Sequence, residues 1–186
     1  MSGKEKTVCA KCGDTAEVVR GSYHFREIGL DNVILQGIEI IRCKSCGNED
    51  PMIPHTKELF TVLATALVCK PSRLIGQEVR FLRNHLAMTQ HQFARLLHID
   101  KTTLSKWENN EDPVGPQSDI AMRLVAVSFD DPLARRLEEV VRNLEKIQYR
   151  KHFPRGAAAR KKSIMRELRD RPVIQVNSQT FEYEYA

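Results

Sequence analysis

What the chain lacks narrows the field first. It holds no apolar run of the roughly 18 residues that a membrane-spanning helix needs. Residues 1–7 are polar and lysine-rich with no apolar stretch behind them, a composition that is not expected to act as a signal peptide. A reducing cytoplasm is therefore the expected compartment, where paired cysteines are read as metal ligands before disulfides. The sequence offers no Ser-His-Asp constellation, no glycine-rich phosphate loop and no open metal site, so an enzyme is not expected. It also contains no internal repeat of structural period.

What remains is globular. Hydrophobic residues make up 41% and charged residues 28% of 186, enough for one ordinary domain or two small ones. The formal charge of +5 is compatible with a nucleic-acid partner but does not establish one, because distribution matters more than total.

Four of the five cysteines fall in two matching pairs, Cys9-Ala10-Lys11-Cys12-Gly13 and Cys43-Lys44-Ser45-Cys46-Gly47. The Cys-x-x-Cys spacing lets two thiolates reach one tetrahedral ion, and the glycine permits a tight turn that aims N–H groups at sulfur. Alternating runs at 17–28 and 33–42, separated by the turn composition Gly29-Leu30-Asp31-Asn32, predict a hairpin that brings the pairs together. Four thiolates leave no open coordination position, so one structural zinc is expected on Cys9, Cys12, Cys43 and Cys46. His24 and His55 are not needed as ligands, and Cys69 reads as a small buried hydrophobe on an apolar helix.

Beyond Pro54 the pattern turns helical. Leu59, Phe60, Leu63 and Leu67 mark a helix at 56–70, and stop and start signals bound further helices at 72–86, 89–97, 100–109, 117–128 and 132–148. The predicted architecture is α+β. A small β-hairpin zinc-binding domain (1–55) and a helical linker (56–71) precede an all-α five-helix DNA-binding domain (72–130) and a C-terminal extension (131–186). In the helix at 100–109, Leu104 and Trp107 join Phe93, Leu97 and Ile99 as a buried stripe, with Ala94 small at the helix crossing. Asp100 and Thr89 are the expected N-caps. The opposite face carries short polar and cationic side chains, which suits a helix lying in a major groove.

Arg83, Thr89-Gln90, Phe93-Ala94, Leu97 and Thr103-Leu104-Ser105-Lys106-Trp107-Glu108 resemble the phage-repressor (Cro/CI or XRE) helix-turn-helix family over 74–128. That resemblance implies a five-helix lambda-repressor-like fold and a phosphate contact from Gln90. It further implies base contacts from Lys101, Thr102 and Lys106, with Thr103 and Ser105 on the same DNA-facing helix, and a buried Arg83–Glu108 ion pair. The usual turn glycine is replaced by His98, which must then be left-handed.

The order of a four-cysteine domain and then this helix-turn-helix resembles the MqsA antitoxins with their YgiT-type zinc finger, over 9–128. Such a resemblance implies a homodimer on a palindromic operator and a protein toxin held by the zinc domain. The alternative is a stand-alone regulator with no toxin partner. Thr102 and Lys106 depart from the family's asparagine and arginine, so an operator sequence cannot be carried over.

After 128 the resemblance ends. Leu133, Leu137, Val140, Val141, Leu144 and Ile147 form one apolar helical face, suited to a dimer interface or to the chain's own core. Arg150-Lys151-His152, Arg155 and Arg160-Lys161-Lys162 form a basic segment, either a DNA-tracking arm or a solvated linker. The run 173–185, with Phe181, Tyr183 and Tyr185, is an edge strand or a partner-binding tail.

Overall fold

The computed structural model describes residues 6–148, 172–176 and 181–185. Among them no helix is long and apolar enough to cross a membrane. The basic segment at 150–162 lies outside the described residues.

Strands β1 (Lys6–Val8), β2 (Thr15–His24), β3 (Ile34–Cys43) and β4 (Glu49–Met52) form an antiparallel sheet centred on β3. Six helices are described: α1 (Thr56–Cys69), α2 (Gly76–His85), α3 (Gln90–Leu96), α4 (Lys101–Glu108), α5 (Pro116–Phe129) and α6 (Asp131–Gln148). The α+β class read from the sequence is the observed one, with a four-stranded sheet in place of a bare hairpin.

β3 shows why the sheet has one buried face. Leu35, Ile38 and Ile40 are all buried, although 35 and 38 are an odd number of residues apart. The pairing shifts so that Gly21 faces Ile38 and Ser22 faces Gln36, leaving Gly37 as the extra residue of a β-bulge at φ 77°. The bulge resets the two-residue alternation and keeps both sets of side chains inward. The connection is longer than the predicted four-residue turn. Phe25, Leu30 and Val33 are buried, so 25–33 folds under the end of the sheet, and the strands stop at His24 and resume at Ile34. Phe25 N–H to Val33 O (3.0 Å) and Gly29 N–H to Arg26 O (2.9 Å) tie this loop.

Strands β5 (Pro172–Val176) and β6 (Phe181–Tyr185) extend the sheet. β5 runs parallel to the first half of β3, on the edge whose second half is taken by β4, and β6 pairs antiparallel to β5. The C-terminal run is thus a hairpin of the sheet, with β6 outermost.

α1 is buried from Leu59 to Leu67, excepting half-buried Phe60 and Thr61. One continuous core joins sheet residues such as Leu35 and Ile40 through Leu63 and Leu67 to Leu82, Phe93, Leu104, Met122 and Leu133. Cys69 is exposed, not buried as expected, because it ends the helix on its outward side. α2 starts four residues later than predicted. The N–H groups of Leu74, Ile75 and Gly76 donate to side chains of Asp119 (2.7 Å), Glu78 (2.8 Å) and Asn110 (2.7 Å), which holds 74–75 extended. On α6, Leu133 is buried and Leu137 packs on the core, while Val141 is exposed.

Candidate nucleic-acid interface and cysteine cluster

Thr89 opens α3 with a reciprocal cap: its hydroxyl accepts from Gln92 N–H (3.2 Å), and the Gln92 amide oxygen accepts from Thr89 N–H (2.9 Å). Phe93 and Ala94 point inward. The turn to α4 passes through His98 at φ 52°, a left-handed residue without the glycine that normally relieves it. Ile99 N–H then donates back to Ala94 O at 3.0 Å. Asp100 occupies the expected N-cap position of α4 with extended backbone, although its carboxylate makes no capping hydrogen bond.

α4 has two faces. Leu104, Trp107 and Glu108 are buried; Lys101, Thr102 and Lys106 are exposed; Thr103 and Ser105 are half-buried between them. Residues 102 and 106 lie one turn apart on the outer side, within reach of one groove.

Beneath this helix sits a charged network. Arg83 Nε and Nη2 donate to the two Glu108 carboxylate oxygens at 2.6 and 3.1 Å, and Gln90 Nε2 donates to Oε2 at 2.9 Å. Burial alone would push the Glu108 carboxyl up. The hydrogen bonds from Arg83 and Gln90, with the charges of Arg83 and Arg80, outweigh it and hold the pKa below the ordinary value. Gln90 is half-buried, with one amide N–H spent on Glu108. Arg80 reaches the end of α4, donating to Glu108 O (3.1 Å) and Asn109 Oδ1 (2.7 Å).

Several residues that carry this arrangement carry no clear mark in the sequence. Gly76 packs its Cα against the Trp107 and Glu108 carbonyls, where an added Cβ would stand 2.4 Å from the Trp107 oxygen. Arg123 on α5 donates to Leu67 O (3.0 Å), Val68 O (2.8 Å), Lys70 O (2.6 Å) and Ser72 O (2.6 Å), capping the end of α1, while Asp119 holds it from behind. Lys70 and Glu78 form a buried ion pair at 2.7 Å. Their only advance signal is a charged residue at an otherwise apolar position.

At the far end of the sheet the cysteine pairs form two equivalent turns. Gly13 N–H donates to Cys9 O (2.9 Å) and Gly47 N–H to Cys43 O (3.0 Å), with both glycines at positive φ. The four sulfurs lie within 4.8 Å of one another. Cys9–Cys46 and Cys12–Cys43 sulfur separations are 3.6 and 3.5 Å. A tetrahedral ion with metal–sulfur bonds of about 2.3 Å needs sulfur separations of about 3.8 Å, so these two pairs lie close to the spacing that one ion requires.

The Cys46 backbone N–H, aimed at Cys43 sulfur, outweighs desolvation and lowers that thiol to about 7, with help from Cys12 and the Ser45 N–H. At Cys12 the Asp14 backbone contact lowers the thiol, but hydrogen bonds with Cys46 and Cys43 push it up to about 12. Sulfurs this close compete for protons, and a shared dication removes the competition. Cys9 and Cys43 are buried, Cys46 half-buried and Cys12 exposed.

Fold and sites together describe a two-part molecule, a four-cysteine sheet compatible with a structural metal ion and a helical unit with an exposed, cationic second helix. Comparison with known families makes the second part particular. Residues 79–124 match the helix-turn-helix family model, a span that contains α3 and α4 whole. The match supports a DNA-binding transcription regulator. No curated protein and no solved structure matches the chain.

Proposed function

We propose that the chain is a sequence-specific transcriptional repressor acting in the cytoplasm as a homodimer on duplex DNA. The observation that carries this reading is α4, whose exposed Lys101, Thr102 and Lys106 stand opposite buried Leu104, Trp107 and Glu108 inside the matched segment. Two such helices, about 34 Å apart in a dimer, enter successive major grooves. Gln90 offers its remaining amide N–H to a phosphate, Lys101 and Lys106 meet phosphate or base edges, and Thr102, Thr103 and Ser105 permit close approach. Ile120 and Leu124, about 60% exposed and one turn apart on α5, support a dimer face near that unit.

The four thiolates hold one structural zinc, a choice supported by an all-sulfur, closed donor set. The order of cysteine sheet and helix-turn-helix supports a second role as the antitoxin of a toxin–antitoxin pair, the zinc-bearing sheet receiving the toxin.

The test is a binding titration of metal-loaded full chain on a duplex from its own promoter between about 50 and 200 mM salt. Affinity falls linearly on logarithmic axes, with a slope of about 0.9 per phosphate contacted. Lys106→Ala relaxes preference for that duplex over a scrambled one. A wild-type chain with no salt-sensitive affinity for any duplex removes the DNA reading altogether.

A further inference from the structure

The end of α4 is built with unusual care for a helix that ought to meet polyanionic DNA. Its last turn closes in a Schellman motif: Glu111 N–H donates to Lys106 O (2.9 Å), Asn110 N–H to Trp107 O (3.0 Å), and Asn110 is left-handed at φ 57°. The Asn110 side chain accepts from Gly76 N–H, which bolts the turn to the start of α2. These bonds fix the direction of the two residues that follow, and both are acidic. Glu111 accepts from Asn109 Nδ2 at 3.5 Å, and Asn109 is held by Arg80. Asp112 instead comes back along the helix, its Oδ2 3.6 Å from Lys106 Nζ, with both side chains a little over half exposed.

We propose that Asp112 is a specificity-determining positioning residue for Lys106, which rests on the DNA-binding reading above. An exposed pair of this kind contributes little to stability, so its consequence lies in binding. Against an arbitrary duplex, Lys106 arrives with its charge partly offset by Asp112, and the carboxylate repels the phosphates that would replace it. Lys106 therefore releases fewer counterions on non-specific DNA. On the operator, a base-edge acceptor such as guanine O6 or N7 gives the ammonium a directed hydrogen bond that compensates for leaving Asp112. The acidic residue thus lowers affinity for every duplex, but least for the one carrying that acceptor. Discrimination arises by penalising the wrong partner.

The experiment compares full-length wild type, Asp112→Asn and Asp112→Glu on two probes, a random-sequence duplex and a duplex selected by wild type from a random pool. Folding is checked by circular dichroism. With Asp112→Asn, affinity for the random duplex rises about 2–5-fold near 0.1 M salt and its salt slope steepens by up to about 0.9, the value of one added phosphate contact. Affinity for the selected duplex rises less, so the ratio between probes falls; Asp112→Glu restores the ratio. Unchanged affinities and slope, or equal gains on both probes, overturn the proposal while leaving the DNA reading intact. A wild type that selects no duplex overturns the DNA reading and this proposal with it.

Discussion

Gly76 sits where two helices meet end to end, and its missing side chain is a requirement of packing. In an exposed helix, replacing glycine by alanine gains roughly 1 kcal/mol of propensity. Here the added methyl would lie 2.4 Å from the Trp107 carbonyl oxygen and 2.7 Å from that of Glu108, and both obstacles are backbone. Neither can rotate away, so α2 and α4 must separate, which loosens the Asn110–Gly76 bond as well. Gly76→Ala is expected to destabilise by about 1–3 kcal/mol, as overpacking does elsewhere. Urea unfolding followed by the fluorescence of Trp107, the single tryptophan, reads this directly. An unchanged or higher midpoint would mean that the helices have room to spare. Residue-level chemistry of this kind is only partly legible in the sequence. The need for a left-handed His98 follows from its place in the motif, whereas Gly76 looks like any residue near a helix start, because its neighbours are 31 and 32 positions away.

Elements are easier to read than contacts between them. Cysteine pairs are local, and the knuckle needs only four residues and a glycine, so its chemistry shows in sequence. α3 and α4 are legible for the same reason, since caps and apolar spacing lie within one helix length. The bulge at Gly37 and the buried loop at 25–33 are not, because both are set by what lies across the sheet. The cysteine end has its own small cluster of Cys9, Ala16 and Cys43, backed by Ile41 and Cys46, separate from the main core. A metal ion held by these cysteines would supply order locally, where too little apolar surface exists to do so. Stripping the ion with a strong chelator is expected to expose four thiols to a colourimetric reagent while Trp107 emission and helical circular dichroism stay within a few per cent of their starting values. Thiol ligands must be deprotonated to bind, so acidification releases the ion and alkali retains it. Collapse of helical signal on chelation would instead mean that the helices depend on the metal.

At the scale of the whole molecule, α1 decides how the two parts communicate. The sequence pattern suggests a linker between separate domains, but the burial of α1 makes it part of the core. Sheet residues such as Leu35 and Ile40 and helix residues such as Leu82, Phe93 and Leu104 share one core with its Leu59, Leu63 and Leu67. Its end is held by a single guanidinium. Arg123 satisfies four carbonyls from Leu67 to Ser72 and is fixed by Asp119, which also accepts Leu74 N–H. No local pattern announces a contact spanning more than 50 positions in sequence, though a lone arginine on the half-apolar α5 is a hint. Replacing it by methionine keeps much of the volume and removes every donor, leaving carbonyls short of partners and the Asp119 carboxylate without its counter-charge. Breaking a buried charged network of this sort costs about 3–5 kcal/mol. The expected result is more specific than a lower melting temperature. With the weld cut, the sheet signal in circular dichroism and the emission of Trp107 on α4 should lose their coincidence, because the helices and the sheet no longer unfold as one unit. If Arg123→Met still melts in one transition with the wild-type midpoint, the clamp is ornamental, and the apolar faces of α1 alone hold the halves in register.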